Sequence, residues 1–154
     1  MSEMTGNHAD VRVHPPILMA LHLFPAFLLG WLIPVDLPAW LEMVGWAVVL
    51  FGLAVALYAL QQLIKARTSP DPFVPTTAVV TKGIYRFTRN PIYLGYLCFT
   101  LGFPLLFGNI WGLVVAPIQI ILFDRLIIFR EEDYLSSKFG QLYLDYKSSV
   151  RRWL

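Results

Sequence analysis

Charge is scarce in this chain. Asp, Glu, Lys and Arg make up 14% of its 154 residues, against about 25% in an ordinary soluble domain. The shortage is clustered: no Lys or Arg occurs between Arg12 and Lys65, and none between Arg89 and Arg125. Apolar stretches of that length point to membrane spans. Cysteine is scarcer still. Cys98 stands alone in an apolar run, which excludes a disulfide framework and any paired-thiol metal or redox motif. His8, His14 and His22 crowd toward the N-terminus without ligand spacing, so no metal site is expected. No G-x-G-x-x-G is present, so the dinucleotide fingerprint of a Rossmann fold is missing. A net charge of +2 is too small to argue for nucleic acid as a partner.

What is there is a series of apolar segments. Four spans are expected, at about residues 17–33, 39–64, 91–107 and 110–129, from the roughly 20 residues a bilayer core of about 30 Å requires. The first is short enough to raise a signal peptide as the alternative. Glu3 and Asp10 beside Arg12 make a poor positive leader, and no A-x-A cleavage pattern follows, so a retained helix is favoured. Gly45, Gly52 and Ala56 fall near one face of the second span, where small residues let helices approach closely. Trp40 and Trp46 read as interface anchors. Asn90-Pro91 is a good helix start, because Asn caps and Pro is preferred at the first helical position. Gly108-Asn109 makes a very short turn, so spans three and four are antiparallel neighbours. Pro104 and Pro117 are expected to kink them. From Arg130 to Tyr146, Leu135, Phe139, Leu142, Tyr143 and Tyr146 recur at helical spacing, as in a helix lying along a membrane surface. The fold class expected is therefore an all-α integral membrane protein. It is a single membrane domain over residues 1–154, with four transmembrane helices and a C-terminal amphipathic interfacial helix. The basic residues flank one side, which by the positive-inside rule places both termini in the cytoplasm.

The one long connection, residues 65–90, is rich in Pro, Thr and basic residues. A connection of that length in a compact chain is functional or disordered, and it ends in a polar signature, Gly83-Ile84-Tyr85 and Arg89-Asn90-Pro91-Ile92-Tyr93. A helical hairpin would bring the start of span three level with Asp124, Arg125, Arg130 and Glu131 at the end of span four. Such a pocket would have water on one side and lipid on the other. The N-terminus of span three suits a carboxylate or phosphate. Glu131 and Glu132 can accept hydrogen bonds from an amine or from ribose hydroxyls, and Tyr85 and Tyr93 offer faces to a cation. Plainer readings stand beside these. Arg89, Arg86 and Lys82 can be snorkelling anchors, Glu131-Glu132 can be a solvated helix turn, and Tyr143 and Tyr146 can be packing residues.

Over residues 65–154 the chain resembles the isoprenylcysteine carboxyl methyltransferase and phospholipid methyltransferase family of integral membrane enzymes. The resemblance is carried by Thr81-Lys82-Gly83-Ile84-Tyr85, Arg89-Asn90-Pro91-Ile92-Tyr93-Leu94-Gly95, Glu131-Glu132, Leu135, Phe139-Gly140, Tyr143, Tyr146 and Val150-Arg151-Arg152-Trp153. It implies S-adenosylmethionine as methyl donor. It places the cofactor contacts on Thr77, Ala78, Val79, Val80, Tyr85, Asn90, Pro91, Ile92, Tyr93 and Glu131, with Glu132 completing the acidic pair. The implied acceptor is lipophilic and enters from the bilayer: an isoprenylcysteine-like carboxylate, a thiol or a phospholipid amine, for which Glu132 would be the base. Two departures matter. Many members carry His where this chain has Asn90, which cannot titrate. The family's substrate-orienting Arg falls on Ile127, leaving Arg125 or Arg130 as candidate replacements beside Glu132. Two other classes compete: an NADPH-dependent membrane reductase of the sterol reductase type, and a non-enzymatic four-helix membrane scaffold.

Overall fold

The computed structural model describes residues 8–154, and among them every regular element is helical. Helix α1 spans Pro15–Leu32, α2 Trp40–Lys65 and α3 Pro91–Leu106, with a 3₁₀ turn at Gly83–Arg86 between the last two. Helix α4 (Gly112–Phe123) runs through a π turn at Asp124–Ile128 into α5 (Phe129–Phe139), and α6 (Gln141–Ser149) follows.

Three of these helices are long and apolar enough to cross a membrane: Pro15–Leu32, Trp40–Lys65 and the continuous rod Gly112–Phe139, while Pro91–Leu106 is a shorter apolar helix. At 1.5 Å per residue the 16 residues of α3 reach only about 24 Å. The outward faces are apolar: Leu21, Phe24 and Trp31 on α1, and Met43, Leu50, Phe51 and Leu57 on α2, are each more than half exposed. Water would penalise so much contiguous apolar surface; lipid does not.

Helix α3 sits at the centre, packed against α1, α2 and α4. Its seam with α2 is built from small residues. A Cβ at Gly52 would lie 2.5 Å from the Cys98 Cβ, and one at Gly95 would lie 2.9 Å from both the Ala56 Cβ and the Gly52 carbonyl oxygen. Gly102 likewise approaches the Gly45 carbonyl. The face expected from Gly45, Gly52 and Ala56 is this contact, and α3 answers it with glycines of its own.

Two expectations are corrected. The helix that carries the fourth span does not stop near residue 129. No helix breaker stands between Phe129 and Phe139, so the apolar rod continues as the polar-faced α5. The C-terminal amphipathic segment is not one helix either. Gly140 takes φ 54°, a left-handed conformation that suits Gly and ends a helix, so the chain turns there into α6.

Candidate functional site

A cleft opens where α3 begins, α5 passes and the 66–90 loop folds back. Its cavity volume is about 140 Å³, and it opens to solvent at its mouth. The loop forms one wall, shaped by local side-chain bonds. The Asp71 carboxylate accepts from the Phe73 N–H at 3.0 Å, and the Thr77 hydroxyl donates to the Arg67 carbonyl at 2.8 Å. This is why a long, Pro-rich connection holds one shape without strands. Arg67 stands at φ 54° at the end of α2, turning the chain into that wall.

Of the residues expected at a cofactor site, Ala78, Val79, Val80, Tyr85, Asn90, Pro91, Ile92, Tyr93 and Glu131 all line this cleft, as does Glu132. Thr77 does not; it is exposed and ties down the loop, while its neighbours Thr76 and Ala78 face the space. Arg125 and Arg130 do not line it either. Arg125 is exposed on the π turn. Arg130 lies 3.1 Å from Asp10 and also donates to the Asp10 carbonyl, so it holds the N-terminal segment in place.

The two glutamates differ sharply. The Tyr93 hydroxyl donates to Glu131 Oε1 at 2.7 Å, joining α3 to α5 across the cleft, and Glu131 Oε2 makes no hydrogen bond among the described residues. Glu132 is 3% exposed and surrounded by cations. Arg152 donates through Nε to Oε1 at 3.0 Å and through Nη2 to Oε2 at 2.8 Å. Arg89 Nη2 sits 3.1 Å from Oε1, and Lys147 Nζ 3.0 Å from Oε2. Those four contacts use the acceptor capacity of a carboxylate. A base for a substrate amine needs a free oxygen, and Glu132 has none.

Arg152 was not among the expected site residues. It belongs to a C-terminal strap that closes the far wall. Its carbonyl accepts from the Thr88 hydroxyl and from Asn90 Nδ2, both at 3.0 Å, and the Arg151 carbonyl accepts from the Arg89 N–H at 2.9 Å. Asn90 therefore occupies the cap position of α3 without bonding it by its side chain. The guanidinium of Arg152 also stacks 4.2 Å over Phe129 and approaches Asp124 at 3.5 Å. The bond to Glu132 holds that guanidinium more firmly protonated than usual. The sequence signal for this strap was the Arg151-Arg152-Trp153 ending, which carries no distance information. Tyr143 and Tyr146 also reach the cleft, and the Tyr146 hydroxyl donates to the Tyr85 carbonyl at 2.7 Å. Burial pushes the phenols of Tyr85, Tyr143 and Tyr146 well above their usual range, so all three remain neutral hydroxyls.

The family model for phospholipid methyltransferase matches residues 40–142. An uncharacterized protein of Haemophilus influenzae is 43% identical over 63 residues, covering 41% of this chain and all of that relative. The protein-S-isoprenylcysteine O-methyltransferase of Schizosaccharomyces pombe is 36% identical over 72 residues, 47% of this chain and 30% of that protein. The rat protein of the same name is 30% identical over 118 residues, 72% of this chain and 40% of the relative. The matched region thus spans less than half the length of these O-methyltransferases. No solved structure matches the chain significantly.

Proposed function

Since this chain belongs to the phospholipid methyltransferase family, we propose that it transfers a methyl group from S-adenosylmethionine to a lipophilic acceptor at the cytoplasmic face of a membrane. The observation that carries this reading is the Tyr93–Glu131 bond at 2.7 Å inside a cleft at the end of an apolar helix bundle. It leaves one Glu131 oxygen directed to a ligand, with neutral phenols around it.

The residues present fit such a donor. The Glu131 oxygen can accept from a ribose hydroxyl or an ammonium group, and the first turn of α3 carries free N–H groups. The bound donor supplies an activated methyl on a sulfonium, and the protein's part is alignment and exclusion of water. The rings of Tyr85 and Tyr93 suit a sulfonium electrostatically. Glu132 acts at one remove: by gathering Arg89, Lys147 and Arg152 it fixes the strap against the start of α3. A carboxylate acceptor needs only orientation in this scheme, and a thiol needs partial deprotonation near its usual pKa of about 8.5.

In this reading α3 crosses as a fourth, shorter span, and both termini lie in the cytoplasm. The cleft end of the bundle carries Lys65, Lys82, Arg86 and Arg151, and the opposite end has no Lys or Arg. That asymmetry supports the orientation. The experiment is direct. Purified protein in lipid nanodiscs is titrated with S-adenosylhomocysteine and with NADPH, then incubated with methyl-labelled donor and a lipid extract. Binding of the first ligand only, and label in a lipid-phase product, is the expected result. NADPH binding without S-adenosylhomocysteine binding would replace methyl transfer with reduction. Neither ligand binding would leave the scaffold reading.

A further inference from the structure

A guanidinium has five N–H donors, and Arg89 uses few of them. Its side chain is 9% exposed and lines the cleft. Nη2 faces Glu132, but Nε and Nη1 are buried without a hydrogen-bond partner among the described residues. Glu132 cannot absorb them, because Arg152 and Lys147 already occupy its two oxygens. Burying unpaired donors of a charged group is costly, and such groups in a cleft mark the place of a missing acceptor.

A second feature converges on the same spot. Helix α3 is 16 residues long, and Asn90 gives it no side-chain cap. The N–H groups of Ile92 and Tyr93 therefore lack an acceptor within the helix, and both residues line the cleft. Free backbone donors at the positive end of a helix, beside a guanidinium with unused donors, describe a receptor for a carboxylate.

We propose that Arg89, with the first turn of α3, holds the amino-acid carboxylate of the methyl donor. The inference rests on the methyl-transfer reading and deepens it, because it fixes the donor's orientation. The carboxylate end points to Arg89 at the start of α3, and the rest of the donor extends toward Glu131 and the wall formed by residues 78–80.

The test compares two probes in calorimetry on the full chain. S-adenosylhomocysteine carries the carboxylate; 5′-methylthioadenosine lacks the whole amino-acid portion. Arg89→Gln is expected to weaken S-adenosylhomocysteine at least tenfold and leave methylthioadenosine unchanged, and Arg89→Lys is expected to recover part of the loss. Glu132 keeps Arg152 and Lys147 in both variants, so the fold survives; an unchanged melting midpoint checks this. Equal weakening of both probes would reduce Arg89 to a structural part. Unchanged binding of both, with methyl transfer lost, would move the carboxylate to the acceptor and overturn the assignment. If the unmodified protein binds neither probe, methyl transfer itself fails; if it binds both and Arg89→Gln does too, only the present inference falls.

Discussion

At the end of the bundle away from the cleft, Asn109 donates to the Ala26 carbonyl at 3.0 Å and accepts from the Trp111 N–H at 2.9 Å, and the Trp111 indole donates to the Ile33 carbonyl. At the cleft end, among the described residues, Arg89 keeps two buried nitrogens without partners and Glu131 one oxygen without a hydrogen bond. Both ends place polar side chains where helices stop. One end uses each polar atom to close a turn. The other leaves donors and acceptors in surplus, around a space. Saturated polar groups hold a structure together; on the proposed function the surplus ones lining the cleft are met by a ligand.

The comparison is open to attack at its strongest point first. Glu131→Ala removes the free oxygen and the Tyr93 partner together. Hydrogen bonds to a charged group contribute about 1.5–3 kcal/mol each, so donor affinity in calorimetry should fall by about 100-fold or more, with the melting midpoint also lowered because the buried Tyr93 hydroxyl loses its acceptor. Unaltered affinity would take Glu131 out of the site. Asn109→Ala is the mirror experiment. It leaves the Trp111 N–H without its acceptor and removes the bond that ties Asn109 to the Ala26 carbonyl on α1, a loss of about 1–3 kcal/mol. That corresponds to a midpoint lowered by about 2–4 °C per kcal/mol in a chain of this size, with donor affinity unchanged. A loss of affinity in this variant would show that the two ends are not independent.

How much of this was legible in the sequence depends on the range of the interaction. The α2–α3 seam was, because Gly45, Gly52 and Ala56 share one face of a regular helix. The meeting of Tyr93 with Glu131 was too, because a short turn forces two helices into antiparallel register. The continuation of the last span through a π turn into α5 was not. Polar residues such as Arg130 and Glu131 look like a helix end to any reading based on hydropathy, yet they carry ordinary helix propensity. The strap was not legible either. Thr88, Asn90 and Arg152 are joined through backbone carbonyls more than 60 residues apart, and no periodicity encodes that. Arg125 and Arg130 flank Ile127 in sequence, where the family resemblance places a substrate arginine. Helix rotation sends Arg130 to Asp10 and Arg125 to the surface.

Two smaller effects sharpen the contrast within the cleft itself. Tyr93→Phe deletes one hydroxyl and leaves the ring in its packing against Phe123, with centroids 5.4 Å apart. Glu131 then loses the bond that orients it. The loss of a single charge-assisted bond predicts donor affinity lower by about tenfold, intermediate between the parent and Glu131→Ala. An effect as large as that of Glu131→Ala would mean that the phenol, not the carboxylate, is the primary contact.

Lys147→Met is the smallest change and the most discriminating. Lys147 Nζ is 3.0 Å from Glu132, but its side chain is 35% exposed, against 9% for Arg89 and 22% for Arg152. Partly exposed ion pairs contribute at most about 1 kcal/mol, and Glu132 keeps two guanidinium partners. The variant should melt within a few degrees of the parent and bind S-adenosylhomocysteine with unchanged affinity, because no donor of Lys147 faces the surplus side of the site. Should donor affinity fall tenfold instead, the three cations around Glu132 would have to be treated as one ligand-binding unit, and the division between Arg89 as receptor and Arg152 with Lys147 as clamp would be lost.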